Sequence, residues 1–267
     1  MEAEWQNNYF HEVEEILISS AKYSYEENLR LSYQRTDFKS RLIEYLIVVN
    51  IAKKLWDWGW HRFIHVQLEY PLYDFYNGAF PEISLKPKLR RKNHNPISNK
   101  FGRIDIALTK EPSKSYAYRK PNHMSLVGIE VKSFINGYVK VKEDIIRLSE
   151  AMILIDDIGK NSIRSSYLLF YKRLDKPNQI IKDKEIPKMK EKVLIKWEAI
   201  LEEYRNKYTQ LIYNFQPIEV KEAALAELKV RFDPDFFDHA EVAENSGLVM
   251  CYLIKIKRRN LKPCRIR

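Results

Sequence analysis

The sequence predicts an α/β protein in which helices flank a β-sheet, on three observations. Apolar residues first recur at helical spacing, then fall into three short alternating runs, then return to helical spacing before one more short apolar run. That order, helix, strand, strand, strand, helix, strand, is the pattern of a sheet covered by helices. The chain has 267 residues, 45% of them hydrophobic and 31% charged, enough to bury a substantial core without disulfides. Its seven glycines and eleven prolines leave little for long flexible linkers.

Residues 4–33 carry spaced apolar positions around Ile16, Leu17 and Ile18 and predict one or two helices. Thr36 and Asp37 offer an N-cap to a strongly apolar helix from Phe38 to Leu55, with Gly59 suited to a left-handed C-cap. Phe63 to Leu68 alternates and predicts a strand limited by Pro71. Residues 71–101, with four prolines and the basic run Lys86, Lys88, Arg90, Arg91, Lys92 and Lys100, read as an irregular loop. Strands follow at Arg103–Leu108 and Leu126–Val131, then a helix over 141–157 and a buried strand at Tyr167–Tyr171. After Pro177 the character changes. Residues 187–213 have helical spacing, with Leu194, Trp197, Leu201 and Tyr204 as the stripe, and late strands are expected near 222–232 and 247–257. The expected division is 1–177, a core with N-terminal helices, and 178–267, a helix and strands packed on the same core.

Two strands hold the residues that stand out chemically. In a strand, Ile104, Ile106 and Leu108 share one face and Asp105 lies on the other, and an Asp within an apolar strand is costly unless it is paired, hydrogen-bonded or bound to a metal. In the next strand Ile129 and Val131 point one way, and Glu130 and Lys132 the other. Each feature alone is weak, and an isolated Glu-Val-Lys on a strand is ordinarily a solvated face with an ion pair. Their order is more telling: a helix containing Glu44, an acid within an apolar strand, then a strand ending Glu-Val-Lys.

That order resembles the PD-(D/E)xK, restriction-endonuclease-like nucleases over residues 37–173. Asp105 matches the first acid, Glu130-Val131-Lys132 the (D/E)xK, and Glu44 the additional acid that many members place on a preceding helix. Glu69 competes for that auxiliary role. The segment Asp144 to Leu148 resembles the helix that backs the sheet. Ile104 stands where the name-giving proline would be. The resemblance implies a restriction-endonuclease-like core with a central mixed sheet, extended by N-terminal and C-terminal helical segments. It implies catalytic Asp105, Glu130, Lys132 and Glu44, and Mg²⁺ or Mn²⁺ held by Asp105, Glu130 and the main-chain carbonyl of Val131. Lys132 would orient or deprotonate water, the latter if a neighbouring divalent cation and low exposure to water lower its pKa, or it would neutralise the transition state.

The formal net charge of +10 favours polyanions. The expected partner is DNA, with RNA an alternative. Lys88, Arg90, Arg91, Lys92 and Lys100 are the candidate phosphate contacts. The basic tail, with Lys255, Lys257, Arg258, Arg259, Lys262, Arg265 and Arg267, reads equally as a second contact or as a solvated edge. A homodimer or protein partner stays open, as do a non-cleaving binding protein of the same fold and a structural role. His61, His65, His94 and His123 make no metal-ligand spacing, and there is no Gly-rich phosphate loop or nucleophile elbow. Two isolated cysteines, no signal-peptide pattern and no apolar stretch long enough to span a bilayer lead to the expectation of a cytoplasmic protein without a membrane partner.

Overall fold

The computed structural model describes residues 2–32, 44–79, 102–111, 124–135, 137–153, 161–174, 183–220 and 249–259. The first helix, α1 (Glu2–Ser32), buries Val13, Leu17, Ala21 and Tyr25, one residue per turn along a single stripe. Helix α2 (Glu44–Trp60) buries Ile47, Val48, Ile51, Ala52 and Leu55. The expected Thr36–Asp37 cap lies outside the described residues. Gly59 is helical and does not take the left-handed conformation expected of it. It serves close approach instead, because a Cβ there would stand 2.8 Å from the carbonyl oxygen of Ile64. The left-handed residue of this turn is Phe63, with φ of 55°.

Strand β1 (Ile64–Pro71) ends at the expected proline. The loop expected over 71–101 is corrected at its start. Leu72–Gly78 is a short helix, α3, because Leu72, Phe75 and Tyr76 are all buried against the sheet. Residues 80–101 lie outside the described residues. Strands β2 (Arg103–Lys110) and β3 (Met124–Phe134), helix α4 (Val139–Ile153) and strand β4 (Ser165–Arg173) follow as expected. Helix α5 (Ile186–Lys207) buries Val193, Trp197, Ile200, Leu201 and Tyr204, whereas Leu194 is 40% exposed and leaves the expected stripe to Val193. The helix expected to reach 213 stops earlier. Leu211 and Tyr213 are buried while Ile212 and Asn214 are exposed, a period of two that makes β5 (Leu211–Glu219). The strand expected at 222–232 lies outside the described residues, and β6 (Val249–Arg258) is the last element among the described residues.

Among the described residues these elements form one mixed sheet of order β1-β2-β3-β4-β6-β5 with five helices. Only β3 and β4 are parallel, and α4 lies in the crossover that a parallel pair requires. Helices α1 and α2 cover one face, over Ile106, Leu108, Ile129, Val131, Leu169 and Leu253. Helices α3, α4 and α5 cover the other, over Ala107, Leu168, Phe170, Tyr252 and Ile254. Residues Ser165 to Tyr171 of β4 are therefore buried without interruption. Gly128 lets the second layer close on β3, since a Cβ there would lie 2.9 Å from Phe75 Cζ and 3.1 Å from Leu148 Cδ2. That contact fixes how α4 lies over the end of β3. Among the described residues no helix is long and apolar enough to cross a membrane.

Candidate functional site

The β2–β3 ladder runs from Lys110↔Met124 to Ile106↔Ile129. Beyond it the Asp105 side chain takes over from the main chain, and its Oδ2 accepts the Val131 amide at 2.7 Å. The polar group within an apolar strand is thus satisfied by a strand amide. On the other side of β2 the register with β1 is unbroken from Leu68↔Ile106 to Tyr70↔Ile104, but Glu69 and Asp105 are not paired and Glu69 has φ of 49°. This irregularity accompanies one departure from strict alternation. Ile104 is buried with the α3–α5 layer and does not join Ile106 and Leu108.

Glu130 and Lys132 project from the face of β3 opposite Ile129 and Val131, and the ammonium of Lys132 is where the charges meet. Its Nζ donates to the Val131 carbonyl at 3.0 Å. It stands 3.6 Å from Asp105 Oδ2, 3.6 Å from Glu130 Oε2, 3.5 Å from Asp144 Oδ2 and 4.0 Å from Glu44 Oε1. Glu44, at the described start of α2, is fixed by its other oxygen, which accepts the Ser133 amide at 3.0 Å.

Two members were not singled out from the sequence. Asp144 and Arg147 sit three residues apart on α4, beside the buried Ile145 and Leu148. Arg147 donates from one nitrogen to Glu130 Oε1 and to Asp144 Oδ1, each at 2.6 Å. It thereby leaves Glu130 Oε2 and Asp144 Oδ2 directed at Lys132. The available signal was the pair of charges one helical turn apart on the face that also carries Ile145 and Leu148. Glu69 goes elsewhere, to an exposed pair with Arg103 at 3.6 Å.

Burial sharpens these charges, with Glu130 only 1% exposed. Burial pushes its carboxyl well above the ordinary glutamate range, Asp105 and Asp144 add to the rise, and Arg147 and Lys132 oppose it. Burial raises Asp144 as well, against the pull of Lys132 and Arg147. Burial alone would lower Lys132, yet Asp105, Asp144, Glu130 and Glu44 outweigh it and hold the ammonium above its usual range. Without a metal ion, the four carboxylates favour the charged form more than desolvation disfavours it.

With all groups ionised, four acids (Asp105, Glu130, Asp144, Glu44) face two cations (Lys132, Arg147), an excess of two negative charges. Asp144 Oδ2 is buried without a hydrogen bond. Hard carboxylate and carbonyl oxygens with that excess suit a divalent cation such as Mg²⁺ or Mn²⁺. Asp105, Glu130 and the Val131 carbonyl already direct their oxygens at one positive charge, that of Lys132. Among the described residues no group of three or more His, Cys, Asp and Glu is arranged to hold a metal ion as it stands. The donors of the expected set are two carboxylates and a carbonyl, and they fit such an ion in kind.

The candidate phosphate contacts Lys88, Arg90, Arg91, Lys92 and Lys100 lie outside the described residues, as do Lys262, Arg265 and Arg267. In the described part of the basic tail, Lys255, Lys257 and Arg258 are engaged within the protein, whereas Arg259 is exposed. Lys255 and Lys257 each hold Glu14 at 2.7 Å, and Arg258 donates to the carbonyls of Met152 and Asn161. Comparisons with protein-family models, with curated proteins and with solved structures found no match to this chain.

Proposed function

We propose that this protein is a metal-dependent nuclease of the PD-(D/E)xK type, with a restriction-endonuclease-like core, that hydrolyses phosphodiester bonds of DNA. The observation that carries the reading is the convergence of Asp105, Glu130 and the Val131 carbonyl on one cationic point at the fork between β2 and β3. The antiparallel β1-β2-β3 unit followed by the β3–α4–β4 crossover is in keeping with the resemblance of residues 37–173.

In hydrolysis a water oxygen bonds to phosphorus, the bond to the leaving sugar oxygen breaks, and that oxygen takes up a proton. Asp105, Glu130 and the Val131 carbonyl would hold Mg²⁺ or Mn²⁺, which when bound supplies Lewis acidity toward the phosphate and toward water. Arg147 keeps one oxygen of Glu130 engaged and so orients the other. Lys132 presents a charged donor to the oxygens on which negative charge grows. Glu44, tied to the Ser133 amide, fixes the end of β3 beside that donor.

The test is cleavage of linear and circular DNA, and of RNA, in Mg²⁺, Mn²⁺ or EDTA, by the protein and by Asp105→Ala, Glu130→Ala and Lys132→Ala. Metal-dependent cleavage lost in all three variants, with their folds intact, is the expected result. Full activity in all three sinks the reading. DNA binding without cleavage under any condition replaces it with a binding role, and cleavage of RNA alone changes the polymer.

A further inference from the structure

Helix α5 carries its charges in an unusual order. Its first half holds Lys188, Lys190, Lys192 and Lys196 against Glu191, and its second half holds Glu198, Glu202 and Glu203 against Arg205 and Lys207. Lysines near a helix N-terminus oppose the macrodipole, and the first turn has no acid to offset them. The acids of the second half are occupied, Glu198 and Glu202 by Arg205 and Glu203 by Lys142. In the first half Glu219 neutralises Lys190.

The basic half lies at the same end of the sheet as Lys132. Strand β4 runs parallel to β3, with Phe170 in register with Lys132. Lys172, two residues further along β4, lies on the same face. Its Cα is about 8 Å from that of Lys132, from the rise along a strand and the spacing between strands. The Lys172 ammonium stands 5.3 Å from the centre of the Tyr138 ring, and that of Lys196, from α5, stands 4.1 Å from it. Tyr138 is held in turn by its edge contact with Trp197, at 5.1 Å. Among the described residues neither lysine has an acidic side chain within ion-pair distance, and two like charges on one ring repel. Burial and the Lys196 charge together hold the Lys172 ammonium below the ordinary lysine range. An anion placed between the two would relieve that cost.

We infer that Lys172 and Lys196, on the Tyr138 ring, form a phosphate-binding subsite that holds the nucleic-acid strand next to the Lys132 centre. The identity of the anion rests on the nuclease reading, since a strand whose reacting phosphate lies at Lys132 must carry further phosphates along this edge. The subsite also gives α5 a part in substrate binding, with the helix placing one of the two ammonium groups.

The measurement is binding of a fluorescent DNA oligonucleotide in EDTA, where no cleavage occurs, titrated across NaCl concentrations. In Lys172→Ala/Lys196→Ala, affinity should fall at least tenfold and the slope of log K against log salt should shrink by about 2, at about 1 for each phosphate-contacting lysine removed. Lys196→Ala alone should shrink it by about 1, which separates charge from any packing role of the Lys172 stem. Lys22→Ala/Lys54→Ala removes two charges from the opposite layer and should leave the slope unchanged. Equal slopes for the protein and the Lys172/Lys196 variant overturn the subsite and leave the nuclease reading standing. Absence of salt-dependent DNA binding in the unaltered protein overturns the nucleic-acid reading and the subsite with it.

Discussion

Two ion clusters join helices to the sheet, and they are opposite in charge. In one, a single acid on α1, Glu14, is gripped by two lysines of β6 at 2.7 Å each. In the other, a single ammonium, Lys132, faces four carboxylates at 3.5 to 4.0 Å. The first is closed: every contact is at hydrogen-bond distance, and it fastens α1 to a strand 241 residues away in sequence. The second is open. Its acids outnumber its cations and one buried carboxylate oxygen has no hydrogen bond. Removing one partner from the closed cluster should cost stability, and under the proposed reading the open one is where a ligand would bind.

Substitution should pull the two clusters apart. The largest effect is expected from Glu130→Gln, which should lower metal-dependent cleavage by about 10³-fold, while the melting temperature of the metal-free protein stays level or rises because one surplus charge is gone. A clear fall in that melting temperature would make Glu130 a structural group like Glu14. Metal should show the same contrast. Mg²⁺ at about 100 times its dissociation constant should stabilise the protein by about 2.7 kcal/mol, read as a shift in melting temperature that Glu130→Gln abolishes and Glu14→Gln preserves. An unchanged melting temperature at saturating Mg²⁺ would count against a metal at the fork.

Glu14→Gln should leave cleavage intact and cost about 2 kcal/mol, less than breaking a fully buried pair because the Lys257 side chain keeps 35% of its exposure. Its pH dependence has a definite sign. Burial alone would raise the Glu14 carboxyl, but Lys255 and Lys257 outweigh it and hold it below its usual 4.5. The stabilisation is therefore present above pH 4.5 and is lost as pH falls through the lower folded value. Melting temperatures of the protein and of Glu14→Gln should converge on acidification below pH 4.5, and a gap that persists to low pH would assign the loss to packing. The smallest effect belongs to Glu69→Gln. Its pair with Arg103 is exposed, so stability should change by less than about 0.5 kcal/mol and cleavage should not change. A large loss of cleavage would favour Glu69 over Glu44 for the proposed auxiliary role.

Local pattern made much of this legible. The stripes of α1 and α4, the alternation of β3 and that of β2 from Ile106 onward follow from periodicity within one element, whereas Ile104 does not. The placement of Glu130 and Lys132 on one face and Ile129 and Val131 on the other also follows from it. The failures also have local causes. Gly59 has the sequence position of a cap, yet it serves close approach to Ile64, a neighbour that periodicity does not identify. Leu211 and Tyr213 continue an apolar stretch whose period changes from helical to two within a few residues. Leu72–Gly78 is too short for a helical period to emerge beside its flanking prolines.

By itself the sequence determined which residues of β3 share a face and in what order an acid, a second acid and a lysine enter the sheet, because both depend on bonds a few residues apart. Only the tertiary structure decided that β2 and β3 separate at Asp105, that Asp144 and Arg147 reach over from α4, that Lys132 faces four carboxylates, and that Lys255 and Lys257 hold Glu14 inside the protein. Each of those contacts depends on how layers stack and where strands part. The partners lie from a dozen to more than two hundred residues apart, a separation that leaves no periodic trace in the chain.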